Sequence, residues 1–283
     1  MKAKDVRRIK HYDIIQQLCL MDDELMAACF AGHNECVELV IRVILGRWDL
    51  VVEKSEIQKT IKGMRRSVRL DIFAVDSEGR RYNIEFQRLD SGGSPKRARY
   101  NASIIDVSSL KPGQDFAELP EVYVIFITEH DVLGEGRPLY TVDRVITESG
   151  KPFGDGSHIV YVNCENYDTS TPLGKLVRDF LCRDSTDEYY YDVLRERVKY
   201  LKDDTEEVGG MSLFVEEYVK KYVQEHPEEY VKEFEEGFAA KTKKSIAAKM
   251  LEVGKLTLQE VAECSGLSLS TIRRMAKKLE AAN

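Results

Sequence analysis

The chain has 283 residues, 43% of them hydrophobic and 32% charged, with a formal net charge of −7. That is long enough for one sizeable domain and a smaller one, and the composition excludes a disordered or fibrous chain. No apolar run approaches the roughly 18–20 residues of a membrane helix, so no membrane partner is expected.

The start, MKAKDVRRIKHYD, is charged but leads into no apolar secretion core. Cys19, Cys29, Cys36, Cys164, Cys182 and Cys264 are scattered, with no Cys-x-x-Cys pair and no histidine at zinc spacing. They read as inert thiols of a reducing, cytoplasmic compartment. Met21-Asp22-Asp23-Glu24 opens a helical pattern that Asp22 or Asp23 can cap, with acids suited to the first turn. Asn34 can cap a second helix whose stripe is Cys36, Val37, Val40, Ile41, Ile44 and Leu45. Residues 51–61 fit a strand or a short helix equally well.

Leu70–Val75 and Tyr82–Gln87 are rich in β-branched and aromatic residues, and Asp76-Ser77-Glu78-Gly79-Arg80 between them places glycine where a short hairpin loop needs positive φ. Folding about Glu78 sets Phe73 opposite Asn83 and Asp71 opposite Glu85. Side chains alternate along a strand, so Asp71, Glu85 and Gln87 share one face. Facing carboxylates repel, and a hard divalent cation such as Mg²⁺, with Mn²⁺ as a substitute, would remove the penalty. Gln87 would then orient a water or hold a phosphate oxygen. The bland alternative is a solvated polar face of a hairpin.

Asp90-Ser91-Gly92-Gly93 breaks the chain without a Walker-type Gly-Lys-Ser/Thr. Ser94 and Pro95 suit N-cap and N1 of a helix reaching about Leu110. Arg97, Arg99 and Tyr100 on its first turns would begin just beyond the strand carrying Gln87, where arginine can clamp a phosphate. Val122–Thr128 is a continuous apolar run, as in a strand buried on both faces. Strand, helix and buried strand imply a right-handed crossover and a mixed sheet with helices on both sides. Leu139–Ile146 and Ile159–Asn163 read as further strands, and Pro172–Leu181 as a closing helix. His33, His130 and His158 have no partner at a catalytic spacing.

Residues 184–240 read as an acidic, tyrosine-rich helical linker after a first domain at 1–183. Its aromatic stripe is a packing seam that could also join two copies in a homo-oligomer. Residues 241–283 carry nine Lys/Arg against four Glu. There LTLQEVAECSGLSLSTIRRMAKKL reads as helix, glycine turn, helix. It resembles the DNA-binding helix-turn-helix of resolvases and transposon-associated regulators. Ser268, Ser270, Thr271, Arg273 and Arg274 fall on the would-be recognition helix, in a composition suited to phosphate and base edges.

Asp71 followed by Glu85-Phe86-Gln87 resembles the signature of the PD-(D/E)XK nuclease superfamily. Together with MDDELMAACF, RLDIFAVD, YNIEFQR, KRARYNASIID and LPEVYVIFIT it is most similar to the PD-(D/E)XK nuclease family transposases. The resemblance covers about the first half of the chain. It implies an α/β fold with a restriction-endonuclease-like core, a mixed central sheet flanked by helices, ahead of an all-α C-terminal region. It further implies an Mg²⁺-dependent DNA endonuclease tied to mobile elements or recombination, with Asp71 and Glu85 as metal ligands and Asp22 as an accessory ligand. The lysine of the wider superfamily's motif is Gln87 here, as is common in the transposase branch. A second reading stands beside it, a DNA-binding protein with a weak or silent nuclease domain acting through its helix-turn-helix.

Overall fold

The computed structural model describes residues 16–63, 66–183, 188–203, 247, 251, 257–265 and 268–280. The chain divides into two compact units, Met1–Glu216 and Glu217–Asn283.

The first unit is built on a six-stranded mixed sheet, β1 (Val52–Ile61), β2 (Val68–Asp76), β3 (Arg81–Gln87), β4 (Val122–Thr128), β5 (Leu139–Val142) and β6 (Ser157–Asn163), in the order β1-β2-β3-β4-β6-β5. β1, β2 and β3 form an antiparallel meander, β3, β4 and β6 run parallel, and β5 closes the far edge antiparallel to β6. The centre is parallel because β4 has apolar side chains on both faces: Val124 to Ile127 are wholly buried. Among the described residues five helices flank the sheet: α1 (Asp23–Phe30), α2 (Asn34–Leu45), α3 (Pro95–Ser109), α4 (Pro172–Leu181) and α5 (Asp192–Asp203). α3 is the connection from β3 to β4. Its Ala98, Ala102 and Ile105 share a core with Phe73, Val124 and Phe126 on one face of the sheet. On the opposite face Phe86 meets Phe30 of α1 at 6.0 Å and Phe180 of α4 edge-on at 5.3 Å. This is the restriction-endonuclease-like α/β core that the sequence implies.

The hairpin takes the expected register, with Phe73 opposite Asn83 and Ile72 opposite Ile84. Gly79 turns it at φ +81°, a backbone conformation nearly free of cost only for glycine. Asp76 locks the loop from inside. Its buried carboxylate accepts from Glu78 N (3.0 Å), Arg80 N (2.9 Å), Arg80 Nε (2.7 Å) and the Tyr82 hydroxyl (2.8 Å). Burial acts to raise its pKa, but the bonds from Arg80 and Tyr82 outweigh it and hold the carboxyl below its usual range.

Several expectations change in three dimensions. Residues 52–61 are a strand, and β1 is the edge of the sheet. Its half-exposed pattern carries no clean period, which is why periodicity leaves it open. Asn34 does not cap α2; His33 holds that position, while the Asn34 amide donates to Glu53 O (3.0 Å) and accepts from the Ser55 hydroxyl (2.7 Å), tying α2 to β1. The strand expected over 139–146 ends at Val142. α5, expected in a linker starting at 184, packs into the first unit through buried Leu194, Val198 and Leu201, and Lys202 Nζ donates to Arg183 O (2.8 Å). Phe214, Tyr218, Tyr222 and Tyr230 of the expected seam lie outside the described residues. Cys19, Cys29, Cys36, Cys164 and Cys182 are buried free thiols. Among the described residues no helix is long and apolar enough to cross a membrane.

In the second unit α6 (Leu258–Ser265) and α7 (Leu269–Glu280) are consecutive helices, with Val261 and Ile272 buried beside Ala247. Thr257 and Glu260 form a reciprocal capping box: Thr257 N donates to Glu260 Oε2 (2.7 Å) and Glu260 N to Thr257 Oγ1 (3.3 Å). Ser268 Oγ accepts from Thr271 N at 3.3 Å in the manner of an N-cap. The expected turn glycine, Gly266, lies outside the described residues.

Asp76→Ala leaves the Arg80 guanidinium and two loop N–H groups without their buried acceptor. The expected loss of stability is about 3–5 kcal/mol, read as a lower midpoint in urea denaturation at neutral pH.

Candidate active site

The hairpin delivers Asp71 and Glu85 to one face of the sheet, side by side. Asp71 N donates to Glu85 Oε1 at 3.4 Å, and Asp71 Oδ2 accepts from Phe86 N at 3.0 Å. The sheet thus holds two carboxylates a strand apart. Glu85 is fully buried and both of its oxygens are engaged: Oε1 also accepts from Asn83 Nδ2 (2.8 Å), and Oε2 from Arg97 Nη2 (2.6 Å). Burial raises the pKa of Glu85 against the opposing pull of Asn83 and Arg97. Burial, and then the negative charge of Glu85, push Asp71 up to about 7.

Arg97 comes from the first turn of α3, whose start is set by Ser94 Oγ accepting from Arg97 N and by Pro95 at N1. Its guanidinium spans the site. Besides Glu85 it donates through Nη1 to Gln87 Oε1 (2.9 Å) and Gly92 O (3.0 Å). One turn further on, Asn101 Nδ2 donates to Asn83 Oδ1 at 3.0 Å, anchoring the amide that holds Glu85. Gly92 permits this arrangement, because a Cβ there would lie 1.9 Å from Gln87 Oε1.

An open cleft of about 540 Å³ lies in front of the pair, lined by Asp22, Asp23, Glu24, Arg69, Asp71, Gln87, Arg88 and Arg97 among others. Asp22 sits in its wall at the N-cap position of α1, but its carboxylate makes no cap bond. Instead Oδ2 accepts from Cys19 N (2.8 Å) and Oδ1 takes a short bond from Arg88 Nη1. Arg88 Nε also donates to Glu129 Oε2 at 2.8 Å. Among the described residues no three acidic, histidine or cysteine side chains converge at metal-binding spacing, so Asp22 is not gathered into one cluster with Asp71 and Glu85.

Of the three residues expected on the first turns of α3, only Arg97 reaches the site. Arg99 is exposed, since two residues along a helix is more than half a turn away. The Tyr100 hydroxyl donates to Arg66 O at 2.9 Å. In the second unit Arg273 and Arg274 are exposed on α7, whereas the Ser268 and Thr271 hydroxyls bond one another at 2.9 Å. Ser270 lies within α7.

The sequence reading gives no site role to Asn83, Asn101, Arg88 or Gln58. Asn83 was legible in principle, because it precedes Glu85 by two residues and so shares its face. Gln58 gives no sequence signal. It adopts φ +53° in β1 between the Ile57–Ile72 and Lys59–Leu70 pairs, which places it across from Asp71. A non-glycine residue held there stores backbone strain beside the acid pair.

The donors fit a hard cation: two carboxylates, with no thiol or imidazole among the cleft-lining residues. An acid pair in which one member is pushed to about 7 is also one that added positive charge would relieve.

With its native pKa raised, Asp71 contributes stability that is present below about pH 4 and lost as pH rises through about 7. In EDTA, the thermal midpoint of Asp71→Asn should therefore gain on that of the wild type across this window, and parallel pH profiles would refute it. Gly92→Ala must displace the Gln87 carboxamide, with an expected cost of about 1–3 kcal/mol in denaturant titration.

A family model described as PD-(D/E)XK nuclease family transposase matches residues 49–223. The match takes in all six strands together with Asp71, Glu85, Gln87 and Arg97, and leaves α1, α2, α6 and α7 outside. No curated protein and no solved structure matches the chain.

Proposed function

The chain belongs to the PD-(D/E)XK nuclease family transposases, and we propose that it is a metal-dependent endonuclease hydrolysing DNA phosphodiester bonds in the service of a mobile element or of recombination. The observation that carries this reading is the Asp71–Glu85 pair on adjacent strands, with half-buried Asp71 lining an open cleft and Glu85 buried behind it. Asp71 and Glu85 are the residues that would hold Mg²⁺, or Mn²⁺ in its place. Such an ion lowers the pKa of a bound water and neutralises charge on the phosphate under attack.

Gln87 can orient a water or a phosphate oxygen through its carboxamide, but it brings no charge and no basic group. The positive charge reaches the same place from another element: Arg97 Nη1 lies 2.9 Å from Gln87 Oε1. The planar guanidinium suits bidentate contact with a phosphate. Of the DNA-contact residues expected on α3, Arg97 therefore retains the role, whereas Tyr100 is a tether to the loop before β2. Asp22 is better assigned to holding Arg88 at the rim of the cleft than to ligation.

A second reading, DNA binding through α6 and α7 with slow or silent chemistry, is favoured by one observation, the exposure of Arg273 and Arg274 on α7. Each phosphate contact removed should lower the slope of log affinity against log salt by about 0.9. The double change Arg273→Ala/Arg274→Ala would lower it by up to about twice that, and an unchanged slope would count against this reading.

The decisive assay is plasmid cleavage with Mg²⁺, Mn²⁺ or EDTA, run beside Asp71→Ala and Glu85→Ala. Metal-dependent cleavage that falls at least about a hundredfold in both variants is expected, since a bound ion supplies several kcal/mol. Equal cleavage by all three proteins would remove the acid pair from the mechanism. DNA binding without cleavage by the wild type would favour the second reading.

A further inference from the structure

We propose that Arg97 is a displaceable counter-cation that couples the binding of DNA to the binding of the divalent ion. This rests on the nuclease reading and specifies how its site is regulated. The starting point is that Glu85 presents no oxygen without a donor. Oε1 is held by Asn83 Nδ2 and Asp71 N, both fixed by the sheet, and Oε2 is held by Arg97 Nη2 at 2.6 Å. Glu85 is fully buried, so an ion approaching from the cleft meets Asp71 but reaches Glu85 only if one of those donors withdraws. Asn83 is buried and anchored by Asn101, and Asp71 N is backbone. Arg97 is the one donor on a long side chain that also lines the cleft, with about a third of its side chain exposed.

Two cations on one carboxylate oxygen repel one another, so the Arg97–Glu85 pair and an ion on Glu85 each weaken the other. The remaining bonds of Arg97, to Gln87 Oε1 and Gly92 O, are to neutral acceptors. A DNA phosphate in the cleft offers the guanidinium the anion it would lose on leaving Glu85. With phosphate present, Arg97 turns toward the cleft and Glu85 becomes available. With phosphate absent, Arg97 stays on Glu85 and disfavours ion binding. Loading of the ion is thereby biased toward protein that already holds DNA. Coupling of this kind is reciprocal: DNA must tighten the ion by the same factor as the ion tightens DNA.

The test is calorimetric titration of Ca²⁺ into the full-length, metal-free chain at low salt, alone and with a saturating short DNA duplex. Ca²⁺ serves as an oxygen-seeking probe whose binding is read directly rather than through turnover. For the wild type, Ca²⁺ affinity should rise at least about fivefold with DNA, and DNA affinity should rise by the same factor with Ca²⁺. Arg97→Gln should bind Ca²⁺ more tightly than the wild type in the absence of DNA, with no further gain when DNA is added. Arg97→Lys keeps a charge beside Glu85 and should keep the weak DNA-free binding, which separates displacement from loss of fold.

If Arg97→Gln binds Ca²⁺ no more tightly than the wild type, or if coupling survives in it, the proposal is overturned while the nuclease reading stands. Should Arg97→Gln fail to fold, equal Ca²⁺ affinities with and without DNA in the wild type would overturn the proposal by themselves. If no Ca²⁺ binds to the wild type or to Arg97→Gln even with DNA, the metal-dependent reading falls and the coupling with it.

Discussion

Two acids forced side by side, Asp71 and Glu85, set the terms for the rest of the first unit. A hairpin that buries facing carboxylates is opposed by repulsion and by lost hydration together. It persists here because donors converge on the pair from three directions: the backbone of β3, the amide of Asn83 and the guanidinium of Arg97. The helix supplies one of these supports, Arg97, and anchors another through Asn101, in step with the strand. Arg97 and Asn101 are four residues apart on α3, about 6 Å of helix rise, while Glu85 and Asn83 are two apart on β3, about 6.6 Å of strand. The match of periods lets one helix face serve alternate residues of one strand.

The parallel centre of the sheet explains why the pair lies at a cleft. β3 and β4 run in the same direction, so the chain leaving β3 must travel back before it can pair again, and α3 is that return. Its first turn therefore lies beyond the carboxyl end of β3, the end where ligands gather in open α/β sheets. The short turn at Asp90–Gly93 leaves little room, and Gly92 provides it by omitting a side chain where Gln87 and Arg97 meet. Asp76, Arg80 and Tyr82 brace the opposite end of the hairpin, so both ends of β3 are tied by buried polar groups.

The exchange of lysine for glutamine at position 87 looks, along the chain, like a loss of function. In three dimensions it is a change in where the charge originates. The guanidinium of Arg97 reaches the Gln87 carboxamide from α3 and the Glu85 carboxylate at the same time. Apart from Glu85, that guanidinium hydrogen-bonds, among the described residues, only the neutral acceptors Gln87 Oε1 and Gly92 O. On the proposed function, one residue would then both stand in for a cation beside Glu85 and serve as a phosphate ligand.

Local chemistry determined the parts whose causes are local. The hairpin register follows from a glycine turn and period-two alternation, so the pairing of Asp71 with Glu85 could be read before any fold was known. Ser94-Pro95 and Thr171-Pro172 announce α3 and α4 because capping depends on neighbours three residues away. The burial of VYVIFIT on both faces is visible in its unbroken apolar run. Only the tertiary structure decided β1, whose edge position leaves one side to solvent and blurs its period. Distant partners likewise drew Asn34 toward β1 and Asp22 toward Arg88, away from the caps that their sequence positions offered. The target of Arg97 was decided in the same way. A long side chain has many local options, and the path of the crossover and the gap at Gly92 select the one that reaches Glu85.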